Sequence, residues 1–384
     1  MKKKSIAIII TKLDIGGAQQ TALYLAKHLD RKKYNVHFIA GAGGNLDEYA
    51  HSIPNLNLHL IKTFKHPVRP LLDLKAYLEI KKYLINNEID LVHTHSSKAG
   101  FLGRIAAHAA KVPVIIHTAH GFSFHEFQNP VVHRIYVALE RFSAKRSHAL
   151  IACGENVMEY GLLNKIGNRE KYFVIHAGVD LDLYRNARFD KNAYLQKHGL
   201  NSANFTVGMV GNLKKQKNPI EFVKIAKRVL DTDPDVQFMF AGDGPLRKKV
   251  EQILYNYNIE HKVKFLGWIK DPEFFMNVVD VFLLTSLWEG LPCTLPQAIA
   301  SKKPCVATNI DGNKEILKNL DAGFLYAPGD TERAANIILN IKNINPRKII
   351  FNINKEHILD KFDFRYILKQ HEELYDRLFL QFLW

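Results

Sequence analysis

The sequence predicts an α/β protein made of two doubly wound, Rossmann-like units in tandem, and three observations predict it. Short apolar runs of strand type alternate with longer segments whose apolar residues fall at helical spacing. The alternation lapses near residue 180 and then begins again. Glycine turns join strand to helix in both halves. A chain of 384 residues, 47% hydrophobic and 24% charged, is long enough and apolar enough to close two cores.

In the first half, Ser5 to Ile10 reads as a strand, Ile15 to Gln20 as a glycine-containing turn, and Thr21 to Leu29 as a helix with Ala22, Leu25, Ala26 and Leu29 on one face. Strands at Asn35 to Ala40, Leu91 to His95 and Val114 to His117 then alternate with helices at Leu71 to Ile85, Gly100 to Ala110 and Val131 to Arg146. Two more short strands, Ala149 to Ala152 and Phe173 to Ile175, precede Gly178 and a polar stretch through Arg188. The second half gives strands at Phe205 to Val210, Gln237 to Ala241, Val263 to Leu266, Asp280 to Leu284 and Pro304 to Thr308. Its helices are Pro219 to Leu230, Pro245 to Tyr257, Leu295 to Ala300 and Asn313 to Leu317. Right-handed crossovers make both sheets parallel. The expected domains are residues 1–185, residues 186–358, and a C-terminal segment 359–384 whose amphipathic stretch from Tyr366 to Trp384 packs back on the first domain. Ligands bind beyond the carboxyl ends of strands in such sheets, so the expected site is a cleft that the two domains face.

Composition narrows the function. No apolar run approaches the ~18 residues of a spanning helix, and the run Ile6 to Ile10 is cut short by Lys12 and Asp14, so neither signal peptide nor anchor is expected. Cys153, Cys293 and Cys305 make no CxxC and are too few for a disulfide framework, which points to a cytoplasmic protein. Lys and Arg outnumber Asp and Glu by 53 to 38, a net +15, of which residues 1–180 carry +10 (24 against 14). That excess draws anions: nucleic acid, an anionic membrane surface or phosphorylated small molecules. A surface charge kept only for solubility is the plain alternative. No zinc-finger spacing, RNP-like motif or basic helix supports nucleic acid, which is not expected as a partner.

Four segments carry candidate chemistry. Asp14-Ile15-Gly16-Gly17-Ala18-Gln19-Gln20 opens the first helix, where backbone N–H groups meet a phosphate or simply make a tight turn. It is not a GxGxxG and lacks the Lys and Ser/Thr of a P-loop, which counts against nicotinamide enzymes and P-loop nucleotidases. Gly211-Asn212-Leu213-Lys214-Lys215-Gln216-Lys217-Asn218-Pro219 sets three lysines after a strand, suited to a diphosphate or to plain solvation. Ala241-Gly242-Asp243-Gly244-Pro245 is a second strand–glycine–helix turn. Thr285-Ser286-Leu287-Trp288-Glu289-Gly290-Leu291-Pro292-Cys293-Thr294-Leu295-Pro296-Gln297 is the most specific.

With that last stretch the chain resembles the retaining family 4 glycosyltransferases of the GT-B fold. Gly16-Gly17-Ala18, His95 to Gly103, His117 to His125, Val174 to Asp180, the Lys217 loop, the Ala241 to Pro245 turn and the Glu289 block fall in family order. The resemblance implies that Glu289 holds the donor sugar and that Gly290, Leu291, Pro292, Cys293 and Thr294 present backbone amides to sugar and diphosphate. Gln297 stands where the family has a second Glu that contacts the ribose; its carbonyl oxygen still accepts a hydrogen bond but adds no charge. Asn212 replaces an Arg common in the family, which leaves Lys217, helped by Lys214 or Lys215, to neutralise the diphosphate. Gly16, Gly17, Gly242 and Trp268 join the expected donor-binding set, and His120 resembles the histidine beside the donor sugar. His95, Ser96 and Lys98 are expected on the acceptor side, with Ser and Lys open to an acceptor phosphate or hydroxyl. The histidines from His93 to His125 are expected to line that side and hold no metal, and no cofactor is expected beyond the nucleotide-sugar substrate.

The resemblance implies transfer of a sugar from a UDP-sugar to an acceptor hydroxyl with retention. The expected acceptor is a polyprenyl-diphosphate-linked glycan of capsule, O-antigen or lipopolysaccharide type, met at the inner face of the membrane by a peripherally bound protein. The alternative within the same fold is a UDP-sugar 2-epimerase; a basic nucleic-acid-binding protein stands further off.

Overall fold

A computed structural model describes residues 2–318, 320–344 and 357–383. The chain forms two compact units, Met1–Gly178 with Phe364–Trp384, and Val179–Asp363.

The first unit runs β1 (Lys4–Lys12), α1 (Gly17–His28), β2 (Tyr34–Gly41), α2 (Asp47–His51), β3 (Asn57–Ile61), α3 (Pro70–Asn86), β4 (Leu91–His95), α4 (Ser97–Ala109), β5 (Val114–Ala119), α5 (Pro130–Ala144), β6 (Ala149–Ala152), α6 (Glu155–Leu163) and β7 (Tyr172–Val174). All seven strands are parallel in the order β3-β2-β1-β4-β5-β6-β7. The unbroken apolar run of β1 follows from burial on both faces. Ile6, Ile8 and Ile10 pack with Leu25 of α1 and with Ile367 and Tyr375 of the C-terminal helix (Phe364–Phe382). Ala7 and Ile9 face Ile80 of α3 and Ala106 of α4. Each fully buried aliphatic side chain here contributes about 1.5–3 kcal/mol. The C-terminal helix buries Ile367, Leu374, Tyr375, Leu378 and Phe379 in the same core, which is why it belongs to this unit although the chain reaches it last.

The second unit runs α7 (Leu181–Arg185), α8 (Lys191–Lys197), β8 (Phe205–Val210), α9 (Pro219–Thr232), β9 (Val236–Ala241), α10 (Arg247–Tyr257), β10 (Val263–Gly267), α11 (Pro272–Val278), β11 (Val281–Leu284), α12 (Thr294–Ala300), β12 (Cys305–Thr308), α13 (Asp311–Leu317), β13 (Gly323–Tyr326) and α14 (Thr331–Asn343). Its six strands are parallel in the order β10-β9-β8-β11-β12-β13.

The units divide after Gly178, not after residue 185. The reason is α7, which packs on α11 and α12, buries Leu181 and Tyr184, and accepts a 3.0 Å hydrogen bond from Asn277 Nδ2 at the Tyr184 carbonyl. The second unit also extends past residue 358 to Asp363, where the Val179 N–H donates to the Phe362 carbonyl at 2.8 Å. Residues 345–356 of the expected second domain, and Trp384 at the end of the expected tail, lie outside the described residues. Among the described residues, no helix is long and apolar enough to cross a membrane.

Candidate functional site

In each unit the strand order reverses once, between β1 and β4 and between β8 and β11. Loops leaving the carboxyl ends of two such strands diverge and leave room for a ligand. The expected site residues gather around these two points.

In the second unit the loops after β8 and β11 are tied together. The Thr285 hydroxyl donates to the carbonyls of Lys217 (2.8 Å) and Asn218 (3.0 Å), and the Leu287 N–H donates to the Gln216 carbonyl at 2.8 Å. Asn218 takes the left-handed conformation, φ 47°, which asparagine tolerates, and this turns the chain into α9 with Pro219 at its first position. The clamp delivers Lys217 Nζ to Glu289 Oε1 at 2.6 Å, with the side chains only 13% and 8% exposed. The Ser286 hydroxyl donates to the same oxygen at 2.7 Å, and Gln216 Nε2 donates to Oε2 at 3.3 Å. Three donors on one carboxylate fix its rotamer. Thr308 Oγ1 in turn holds the Ser286 carbonyl at 2.6 Å. Ser286, Gln216 and Thr308 are the site residues that sequence reasoning missed; the first two lie inside the quoted segments, and only the fold shows which way they point.

Around this carboxylate several polar atoms lack a protein partner. The buried Thr294 hydroxyl, at the first residue of α12, has no partner among the described residues, and the buried Gln297 side chain makes no hydrogen bond among them. Lys214 Nζ makes none either, and its pKa is lowered by partial desolvation and by the neighbouring Lys217 charge. An anion placed here would relieve that repulsion. Cys293 is no thiolate: burial, opposed by Lys217 and reinforced by Glu289, pushes its thiol up to about 11. Gly242 has φ +135°, and a Cβ there would lie 1.9 Å from the Gly211 carbonyl oxygen, so only glycine lets the loop after β9 close on the loop carrying Asn212. Gly290, Leu291 and Pro292 link Glu289 to Cys293. Trp268 follows the edge strand β10 and is half-exposed.

In the first unit, Thr11 and Ser96 join β1 to the start of α4, hydroxyl to hydroxyl at 2.8 Å, and the Ala99 N–H donates to Thr11 Oγ1 at 3.1 Å. Gly16 and Gly17 begin α1, and a Cβ at Gly16 would meet only the flexible end of Gln19. Ser96 lies between β4 and α4 with φ 64°. His95 Nδ1 lies 2.9 Å from His120 Nε2, with the rings stacked. Two expectations are corrected here. Lys98 is not open to an acceptor phosphate: its ammonium is paired with Asp73 Oδ1 at 2.5 Å and donates to the carbonyls of Lys65 and Pro67 at 2.5 and 3.0 Å. Nor are all the histidines that were expected to line the acceptor side open to it. His93, His95 and His117 are buried, because β4 and β5 are interior strands of a sheet covered on both faces. His93 bridges the Tyr375 hydroxyl (2.6 Å) and Thr118 Oγ1 (2.7 Å). His117 Nδ1 contacts Thr94 Oγ1 at 2.9 Å on the other face. Burial, reinforced by neighbouring positive groups, holds His93, His95 and His117 well below the ordinary histidine range, and burial with His371 nearby lowers His120 to about 4. These rings are neutral at physiological pH.

Two doubly wound units, each with a polar cluster at its switch point, define the GT-B class of glycosyltransferases. The chain belongs to that class by descent: the model for Glycosyltransferase Family 4 matches residues 15–183 and that for Glycosyl transferases group 1 matches residues 190–356. It is 33% identical over 369 residues, 92% of this chain and 94% of the relative, to the UDP-Gal:α-D-GlcNAc-diphosphoundecaprenol α-1,3-galactosyltransferase of Escherichia coli. It is 23% identical to the capsular polysaccharide biosynthesis glycosyltransferase CapM of Staphylococcus aureus, over 91% of each chain. The solved structure of Anabaena HepE in complex with UDP-glucose superposes with a TM-score of 0.84 at 23% identity, covering 97% of this chain and 99% of that one. The chain is a glycosyltransferase.

Proposed function

We propose that the protein transfers a hexose from a UDP-sugar to a hydroxyl of a polyprenyl-diphosphate-linked glycan, with retention of anomeric configuration. The observation that carries this reading is the Glu289 carboxylate, pinned by Lys217, Ser286 and Gln216 beside polar atoms that have no protein partner. Glu289 accepts from donor-sugar hydroxyls, while Lys217 and Lys214 meet the diphosphate. Charge grows on the departing diphosphate in an oxocarbenium-like transition state, so fixed cations there lower the barrier. The Gln297 carbonyl oxygen accepts from a ribose hydroxyl, and the amides of Gly290 to Thr294 bind sugar and phosphate. In the first unit the Gly16–Gly17 turn and His120 offer further N–H groups to substrate oxygens. No side chain becomes a nucleophile. The leaving phosphate oxygen takes the acceptor proton on the face it departs from, and the protonated Cys293 thiol stays inert. The choice of substrates is supported by the printed specificity of the Escherichia coli relative.

A lipid-linked acceptor calls for a membrane-facing surface, and one face of the first unit suits an anionic bilayer. α3 exposes Leu71 (79%), Leu74 (55%), Leu78 (54%) and Ile85 (52%) on one stripe, with Lys75 and Lys82 exposed among them. α5 exposes Val131, Ile135 and Phe142 with Arg134 and Arg141, and the exposed Lys145 follows it. Each basic residue near such a surface adds about 1 kcal/mol, and apolar side chains add burial. Incubation with UDP-galactose, UDP-glucose or UDP-N-acetylglucosamine and a polyprenyl-diphosphate-N-acetylglucosamine should release UDP only when acceptor is present and yield an α-linked product. A sugar epimer formed without acceptor would replace this reading with the epimerase. Flotation with anionic but not zwitterionic liposomes, weakened by Leu71→Asp with Leu78→Asp, is expected; no binding to anionic liposomes at low salt sinks the membrane assignment.

A further inference from the structure

We propose that His95 is a positioning residue that fixes His120 as the tautomer carrying its proton on Nδ1, so that Nδ1–H is the group His120 offers to a ligand oxygen. The role given to the ligand rests on the function proposed above; the tautomer does not.

His95 ends β4 and His120 follows β5, and the two strands run in register with His95 opposite Thr118. That places His95 Nδ1 2.9 Å from His120 Nε2, a distance at which one proton is shared between two ring nitrogens. A neutral imidazole has one N–H, so the bond forms in one of two ways. If His120 donates from Nε2, His95 must accept at Nδ1 and carry its own proton on Nε2. His95 Nε2 is buried with no partner among the described residues, and the residue is 0% exposed. That arrangement strands an N–H in a dry core. If His95 donates from Nδ1, the stranded atom is a bare lone pair, and an under-satisfied acceptor is tolerated more readily than an orphaned donor. The third possibility, a shared positive charge, is opposed by the complete burial of His95 and by the surrounding histidines.

The ring of His95 is itself braced. His93, two residues earlier on the same face of β4, lies against it with centroids 4.2 Å apart, and His93 is held at both nitrogens by Tyr375 and Thr118. The donor therefore has one orientation. With Nε2 of His120 occupied as an acceptor, its Nδ1–H makes no hydrogen bond among the described residues, and His120 is only half-buried. A hydroxyl or phosphate oxygen is the kind of group it can serve; a donor such as an ammonium is not.

The test is the long-range proton–nitrogen correlation spectrum of histidine-labelled full-length protein at pH 7.5, with the His120 signals assigned by their loss in His120→Gln. The expected pattern is a protonated Nδ1 and a bare Nε2. A protonated Nε2, or protons on both nitrogens, overturns the proposal without reference to activity. Two variants give the functional arm: His95→Asn keeps an N–H donor near the position of Nδ1, and His95→Leu removes it at similar size. Asn is expected to hold kcat/KM within about threefold of the parent and Leu to lose about tenfold or more, as for loss of one preorganised donor. Equal losses in both would make His95 merely structural and refute the proposal. If the wild-type tautomer is as expected and no donor sugar is consumed, it is the function and not the tautomer that fails.

Discussion

Breaking the Lys217–Glu289 pair separates what it does for the fold from what it does for transfer. The two side chains are 13% and 8% exposed and 2.6 Å apart, so removing one leaves the other nearly dry and uncompensated. For a fully buried pair that costs about 3–5 kcal/mol. The residual exposure, and the hydrogen bonds that Glu289 keeps from Ser286 and Gln216, bring the figure nearer about 2 kcal/mol for either Lys217→Met or Glu289→Gln. The double variant leaves a neutral amide still bonded to Ser286, so its cost should be about 2 kcal/mol and not 4, a coupling of about 2 kcal/mol. In a unit of this size each kilocalorie shifts Tm by about 2–4 °C, which predicts losses of about 4–8 °C for each single variant and for the double alike. Turnover should behave differently. Lys217 serves the diphosphate and Glu289 the sugar, so each change should lower kcat about 10²–10³-fold, and pairing the changes should rescue nothing. Thermal melts and acceptor-dependent UDP release, run on the same four proteins, read both quantities. Additive melting losses would refute the ion pair. A Glu289→Gln enzyme within about threefold of parental kcat, a barrier change below 1 kcal/mol, would refute the assignment of the site.

Gly242→Ala should strain the second unit, because it puts a methyl 1.9 Å from the Gly211 carbonyl at a φ of +135°; a loss of more than about 2 kcal/mol in urea melts is expected, and an unchanged midpoint contradicts the packing. Acid should unfold the first unit early. His371, buried and unpaired at Nε2, titrates at about 4 in the fold against 6.5 when unfolded, so the unfolded state binds more protons between these values and stability falls as pH drops through that window. His371→Gln should flatten the urea-midpoint slope there by about one proton, and an identical slope would remove His371 from the account. Lys303 shows the opposite end: burial lowers it to about 8, its Nζ donates to the Asn277 carbonyl at 2.7 Å, and the unfolded chain holds the proton longer. Lys303 therefore makes stability rise with pH from about 8 upward, while the buried Cys293 and Cys305, whose thiols ionise near 9 in the unfolded chain and higher in the fold, oppose it; Lys303→Met should make the slope of the urea midpoint against pH more negative there, and an unchanged slope would remove Lys303 from the account.

Interior and edge elements differ in how they are written into the sequence. β1 reads at once because its central run is apolar on both faces, and β11 shares that signature. The edge strands β3 and β13 are half-exposed, carry Asn57 and His59 or begin at Gly323, and have no run long enough to stand out. α14 has a legible start, since Asp330 caps it by accepting from the Arg333 N–H, and Ala334, Ile337, Ile338 and Ile341 keep helical spacing, so the helix absent from the sequence reading is nonetheless written in the chain. The donor-side segments were legible because Gly211 to Pro219 and Thr285 to Gln297 are each continuous in sequence. What converts them into a site is not: the Thr285 hydroxyl crosses 68 residues to reach the Lys217 carbonyl. Lys98 shows the same limit in reverse, since a lysine near a loop reads as a free cation until Asp73 of α3 is found beside it. The histidines were the most misleading composition signal. They were expected to line the acceptor side and hold no metal, whereas the period of two in β4 already put His93 and His95 on one face and Thr94 on the other. In an interior parallel strand both faces are dry, so each of those rings must be neutral and hydrogen-bonded or leave a nitrogen unpaired. That constraint makes the tautomer of His120 a consequence of the sheet and not a choice left to the ligand.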